Sequence, residues 1–255
     1  MAKTEQTTLY IVATPIGNLE DISLRALRIL GEVDFILCED TRVTKKLLNH
    51  YQVDTPTISY HQHSDIKKQD KVLSLLEEGK DLALVSDAGT PGISDPGGKL
   101  VQAVIEKFGE DVKIESVPGP SATTAALSIS GIPTDKFVFM GFPPHKKGRQ
   151  KFLYKIIDSE FPVVIYESKH RIIKFLHELV DLNQKIQEEN KIIDKEDKYK
   201  KDKREKNTPV TSIVVCRELS KMHETVYRGE MDHIIEKIEN NQDDQKGEFV
   251  VIIGK

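Results

Sequence analysis

Three loops rich in glycine and proline stand out, at residues 13–18 (ATPIGN), 86–98 (SDAGTPGISDPGG) and 118–122 (PGPSA). Glycine lets a ligand approach the backbone closely, and proline stiffens the turn that receives it. Taken singly, each loop also reads as an ordinary turn. Taken together, and with the second loop 13 residues long, they read as the lining of a binding site, because long ordered loops in compact domains usually carry function. Two further groups bring side chains able to do chemistry: Asp40 and Arg42, an acid and a cation two residues apart, and the imidazoles of His61 and His63. The His-x-His pair invites a metal, but no third ligand stands at a useful spacing, so no metal is expected. The familiar signatures are missing. There is no GxGxxG, GxSxG or HExxH. The segment nearest to a P-loop, 92–100 (GISDPGGKL), places five residues between Gly92 and Gly98 where four are needed, and Leu100 follows Lys99 where Ser or Thr would hold magnesium.

The elements that must position these residues follow from hydrophobic pattern. Short β-branched runs at 9–13, 35–38, 57–60, 82–85 and 112–117 are too short for helices and are bounded by turn residues or charges, so they read as strands. Helical patterns at 22–30, 41–50, 66–78, 99–108 and 122–130 alternate with them, and Gly79, Gly109 and Gly131 stand as C-terminal stops. This alternation predicts a mainly parallel sheet with helices on both faces. The three loops then follow strands one, four and five, at the strand ends where such sheets bind ligands. The stretch 142–148 (FPPHKKG) reads as a linker. Beyond it, strands at 162–166, 212–216 and 249–253, a hairpin-like 224–229, and helices at 171–182 and 231–240 predict a mixed sheet. The expected division is an N-terminal α/β domain over 1–141 and a C-terminal one over 142–255. The second contains a charged insertion at 185–206, with nine Lys/Arg and seven Asp/Glu, expected as a solvated loop or frayed helix.

Composition narrows the class. The chain has 255 residues, 37 Lys+Arg against 41 Asp+Glu, and a formal net charge of −4. That length buries a sizeable core without staples. Two distant cysteines, Cys38 and Cys216, exclude a disulfide scaffold and suit a reducing compartment. No apolar run approaches the roughly 20 residues of a membrane span, and the first ten residues hold no signal-peptide core. A cytoplasmic protein is expected. The mild acidity argues against a surface coated for nucleic acid, so any such contact must be local.

The motifs 14–19 (TPIGNL), 86–97 (SDAGTPGISDPG) and 117–122 (VPGPSA) resemble those of the tetrapyrrole-methylase superfamily. Within it, 38–42 (CEDTR), 60–63 (YHQH), 166–171 (YESKHR), 217–224 (RELSKMHE), 229–230 (GE) and 246–248 (KGE) resemble the branch that methylates small-subunit ribosomal RNA, methyltransferase I. The likeness spans roughly residues 8 to 254, with its motifs in one order. Precorrin methylases share the glycine loops but usually carry a GDP-type loop in place of SDAGTPG. The resemblance implies two α/β domains with S-adenosylmethionine in the cleft between them, methylation of the ribose 2′-hydroxyl of a decoding-centre cytidine in 16S ribosomal RNA, a homodimer, and no membrane or metal. Two departures stand out. The branch often continues for a few tens of residues past the KGE strand, and it usually has a shorter connection between Leu182 and Thr211.

This reaction assigns roles to the residues above. Methyl transfer from a sulfonium needs alignment and exclusion of water more than covalent help. Pro15, Asp87, Ala88, Gly89, Thr90 and Ile93 are expected around the cofactor. Ser121 and Ala122 open a helix whose N-terminus favours a carboxylate, although Ser121 also suits a plain N-cap. Tyr166 is expected to pack on the adenine, or to be an ordinary core-edge tyrosine. A ribose hydroxyl is a poor nucleophile, so Asp40, Arg42, His61 and His63 are the catalytic candidates: Asp40 to orient or deprotonate, Arg42 to bind phosphate or stabilise developing charge. Asp40 also reads as a helix start. Lys146, Lys147, Arg149, Lys169, His170 and Arg171 are the expected phosphate contacts to RNA. Arg217 and Glu218 read as an internal ion pair.

Overall fold

The computed structural model describes residues 6–61, 66–95, 97–196 and 209–254. The chain divides into two compact units, Met1–Ser121 and Ala122–Lys255.

The first unit is built on strands β1 (Thr8–Val12), β2 (Phe35–Cys38), β3 (Thr57–Ser59), β4 (Leu82–Leu84) and β5 (Lys113–Val117). They pair in the order β3-β2-β4-β1-β5, all parallel. Helices α1 (Leu24–Glu32), α2 (Thr41–His50), α3 (Ile66–Glu77) and α4 (Gly97–Phe108) cover both faces. Alternation along each strand sorts the core. Ile36, Cys38, Ala83 and Val85 pack with Ala26, Ile29 and Leu30 of α1 and Leu47 and Leu48 of α2. Leu37, Leu82 and Leu84 face the other way, onto Val72 and Leu76 of α3 and Leu100 and Val104 of α4. The helix after β1 and the helix after β4 therefore lie on opposite faces, although β1 and β4 are neighbours. Their connecting loops diverge at one point of the sheet edge. That is the topological switch point, where open α/β sheets hold ligands.

The second unit comprises α5 (Ala122–Ser130), β6 (Val138–Gly141), α6 (Arg149–Asp158), β7 (Val163–Ser168), α7 (Ile172–Glu196), β8 (Ser212–Arg217), β9 (Thr225–Gly229), α8 (Met231–Glu239) and β10 (Glu248–Gly254). Its sheet runs β6-β7-β10-β8-β9 and is mixed: β6 and β7 are parallel, and the other pairs are antiparallel. Leu153 and Ile156 of α6, Phe175 and Leu179 of α7, and Ile234 and Ile238 of α8 bury against Val163, Ile165, Val215 and Val251.

Three features differ from the sequence reading. The boundary lies at 121/122 and not at 141/142, because β6 joins the second sheet beside β7. The stretch 142–148 is therefore a loop inside the second unit, between β6 and α6, and not a linker. Neither β6 nor α6 was expected. The helix expected over 171–182 runs on to Glu196. Buried Ile186 continues its apolar face, and buried Asn183 holds Val210, accepting its N–H at 2.8 Å and donating to its carbonyl at 3.3 Å. Much of the charged stretch is thus the end of α7, and residues 197–206 lie outside the described part.

The motifs 217–224 and 246–248 turn out to be architectural. Buried Arg217 donates to the carbonyls of Lys246, His223 and Asp243, and its charge lies 3.6 Å from Asp244. Glu218, at φ +52°, accepts from Lys221 Nζ at 2.8 Å and from the Glu248 N–H at 2.9 Å. Gly247 sits at φ +105°, where a Cβ would stand 2.5 Å from the Glu218 side chain, so only glycine fits the KGE turn.

Candidate active site

The glycine loops meet at the carboxyl edge of the first sheet. Thr14 and Gly89 exchange backbone hydrogen bonds of 2.9 and 3.0 Å, joining the loops after β1 and β4. The Thr14 hydroxyl donates to the Ser86 carbonyl at 3.2 Å, and the Ser86 hydroxyl reaches the Ala88 and Gly89 carbonyls. The third loop is tied in by the Thr90 hydroxyl, which donates to the Pro120 carbonyl at 3.1 Å. The Ala13 N–H donates to Val117. Gly89 is the point of convergence. It is buried at φ +80°, and a Cβ there would touch Ile16 of the first loop (3.4 Å) and Pro120 of the third (3.7 Å). At Gly119 a Cβ would come within 3.0 Å of Ala13. The far part of the long loop is held by Asp95, whose Oδ1 accepts from the N–H groups of Gly92 and Gly97, each at 2.7 Å. Ser94, at φ +64°, is bent to suit.

This backbone frame leaves particular groups on the outside. Asp87 and Ala88 are exposed, as is Ile93 at 48%, while Pro15 and Thr90 are half-buried. One loop thus carries an exposed carboxylate, Asp87, and two exposed apolar side chains, Ala88 and Ile93.

Asp40 and Arg42 stand on the same edge, after β2. The Asp40 N–H donates to Asp87 Oδ1 at 3.2 Å. The Asp40 carboxylate caps α2 by accepting the Arg42 N–H at 2.8 Å. It also grips the Arg42 guanidinium, Nε at 3.0 Å and Nη2 at 2.6 Å. Those bonds hold the Asp40 carboxyl at about 2. So weak a base is poorly suited to take a proton from a hydroxyl; its evident work is to cap the helix and aim Arg42. The Arg42 side chain is 86% exposed and carries the cation.

Immediately before Asp40 stands Glu39, which sequence reasoning passed over. Its carboxyl is raised, first by burial and then by the charges of Asp87 and Asp95. The only forward signal was its place inside the CEDTR motif. A carboxyl raised in the folded state binds its proton more readily there than in the unfolded chain. The fold therefore loses stability as pH rises through that range. Glu39→Gln is expected to raise the melting temperature at pH 8, with the gain shrinking as pH falls through the carboxylate range and wild-type Glu39 becomes neutral. An unchanged melting temperature at pH 8 would contradict this account of the edge.

The remaining candidates are distributed as follows. His61 follows β3 on the same sheet edge, half-buried. His63 lies outside the described residues. Ser121 and Ala122, both half-buried, lead into α5. In the second unit, Tyr166 of β7 points its hydroxyl at the first turn of α5, 2.7 Å from Thr123 Oγ1 and accepting the Thr123 N–H at 3.2 Å. One of the amide donors at that helix start is thereby already used. Lys146, Lys147, Lys169 and His170 are exposed. Arg149 and Arg171, expected as phosphate contacts, are instead taken up inside the unit. Arg149 is buried against Glu178 at 2.7 Å, and Arg171 pairs with the fully buried Glu167 at 2.8 Å. Burial raises the thiols of Cys38 and Cys216, the latter to about 11, so neither is a ready nucleophile.

Over residues 8–235 the chain matches the family model described as tetrapyrrole (corrin/porphyrin) methylases. The chain belongs to the tetrapyrrole methylase family. It is 39% identical to a protein of Hydrogenobaculum sp. named Ribosomal RNA small subunit methyltransferase I, over 97% of this chain and 95% of that one. A Thermotoga maritima protein of the same name is 38% identical, over 96% and 97%. Among solved structures, a cobalt precorrin-4 methyltransferase from cobalamin biosynthesis superposes with a TM-score of 0.65 at 16% identity, covering 100% of this chain and 97% of that one, a likeness of fold. The chain is a methyltransferase, and its methyl donor is S-adenosylmethionine. Gly89 and Gly119 lie where the three loops close on one another, and Asp87 and Ala88, beside Gly89, are exposed there.

Proposed function

We propose that the chain methylates the ribose 2′-hydroxyl of a decoding-centre cytidine in small-subunit ribosomal RNA, working as a homodimer in the cytoplasm. The observation that carries this reading is the near full-length identity, 38 and 39%, to proteins named for small-subunit ribosomal RNA methylation. The likeness to the precorrin enzyme, at 16%, concerns the fold.

S-adenosylmethionine supplies a methyl group already activated by its sulfonium. The protein's work is orientation and exclusion of water. Pro15, Gly89 and Thr90 shape the binding edge, Ala88 and Ile93 give it apolar contact, and Asp87 binds the cationic end. Ser121 and Ala122 add the donors of a helix start. Arg42, aimed by Asp40, favours the ribose oxygen as negative charge gathers on it. His61, after β3 on the same sheet edge, faces the same task, and His63 stays a candidate from the sequence. Lys146, Lys147, Lys169 and His170 hold phosphates, a contact that weakens as salt rises.

The test offers labelled S-adenosylmethionine with two acceptors, small subunits from a strain lacking the gene and a precorrin-type tetrapyrrole acid. Label is expected in the subunit RNA. Label in the tetrapyrrole alone would overturn the reading. Naked oligonucleotides are a poor substitute, since the target is a structured RNA site.

A further inference from the structure

The loop between β6 and α6 is held from beneath with unusual thoroughness. Arg171 Nη1 donates to the Pro143 carbonyl at 2.9 Å, and Arg149 Nη1 donates to the Pro144 carbonyl at 3.0 Å. Each arginine is fixed in turn by a carboxylate, Glu167 or Glu178. Two prolines in succession, both with occupied carbonyls, leave this loop little freedom.

What the loop displays is Phe142, 50% exposed. Its ring stands edge-on to Tyr166 with centroids 5.6 Å apart, Tyr166 stands edge-on to Phe139 at 4.9 Å, and the Tyr166 hydroxyl is anchored on Thr123. An apolar ring is thus presented to water on a rigid support. Lysines, with two histidines, stand around it. His145, Lys146 and Lys147 follow it, all exposed, and the Arg171–Pro143 bond brings the turn carrying exposed Lys169 and His170 against the same loop. In a chain of net charge −4, residues 136–157 contain no Asp or Glu, and neither do residues 168–177. A fixed aromatic face among cations is how proteins hold unstacked bases of RNA, with the ring taking the base and the cations taking the backbone.

We infer that Phe142 stacks on a base of the RNA substrate, at a site whose shape is set by Arg149 and Arg171. The inference rests on the RNA reading above and adds the residue that grips a base. It is tested with Phe142→Leu, which keeps apolar packing on Tyr166 but loses the flat face, and with Phe142→Trp, which keeps that face. Loss of one stacked base weakens binding by about five- to a hundredfold. Phe142→Leu is expected to raise KM for small subunits by that factor and to weaken their cosedimentation with the enzyme equally, with Phe142→Trp close to wild type. Affinity for S-adenosylmethionine and the solution mass should not change. An unchanged KM and subunit affinity for Phe142→Leu would overturn the inference. So would lost cofactor affinity, which would place the ring in the cofactor site, or a changed mass, which would make it a subunit contact. If wild-type enzyme binds subunits without methylating them, the reaction assigned above fails, while cosedimentation still decides the role of Phe142.

Discussion

Gly89→Val is expected to lower affinity for S-adenosylmethionine by at least about a hundredfold, read by calorimetry, a loss of some 2.7 kcal/mol or more. Two effects combine at this position. A β-branched residue is strained at φ +80°. Its side chain would also push on Ile16 of the first loop and on the Pro120 carbonyl of the third. Gly31→Ala is the control: it is a glycine of the same unit with nothing within 4 Å of the added Cβ. Unchanged affinity in a folded Gly89→Val protein would remove this loop from the cofactor site.

The second large effect is expected at Arg42. Arg42→Ala should lower kcat for methylation of small subunits by roughly a hundredfold, the scale seen when one group stabilising a developing oxyanion is removed. Cofactor affinity should stay within about twofold of wild type, because the loops after β1, β4 and β5 are built without Arg42. Asp40 keeps its bond to the N–H of residue 42, so α2 remains capped and the melting temperature should not move. Arg42→Lys should restore little, since a lysine cannot make the paired Nε and Nη2 bonds to Asp40 that aim the charge. An unaffected kcat in Arg42→Ala would make the residue structural.

These predictions rest on features of different legibility. The first sheet was readable because each strand is a short run containing β-branched or aliphatic residues and closed by turn residues or charges, and each helix has a glycine stop or a capping residue such as Ser23 or Asp40. The glycine loops were readable for the same reason. Only the structure shows Thr14 pairing with Gly89, because bonds between distant loops leave no local pattern. β6 was hidden: it is a four-residue edge strand followed by Phe142 and two prolines, and the prolines dominate the local signal. That concealment moved the expected domain boundary. Arg149 and Arg171 were misplaced on the surface because a basic run reads as solvated until its carboxylate partners are known. Glu178 and Glu167 come from α7 and β7, and only folding brings them to that loop. Conversely, Asp95 braces the long loop through the N–H groups of Gly92 and Gly97, a role that only the folded loop reveals.

The opening balance of charge takes on a different meaning in this light. A net charge of −4 is compatible with RNA binding when the acidic residues are kept out of two segments that the fold places together.

The central claim is methylation of a ribose in small-subunit RNA, and the measurement that meets it most directly is nucleoside mass spectrometry of that RNA from cells with and without the gene. The account predicts that one 2′-O-methylated cytidine is present with the gene, absent without it, and restored by the wild-type protein but not by Gly89→Val. An identical set of ribose-methylated nucleosides in both strains would contradict it.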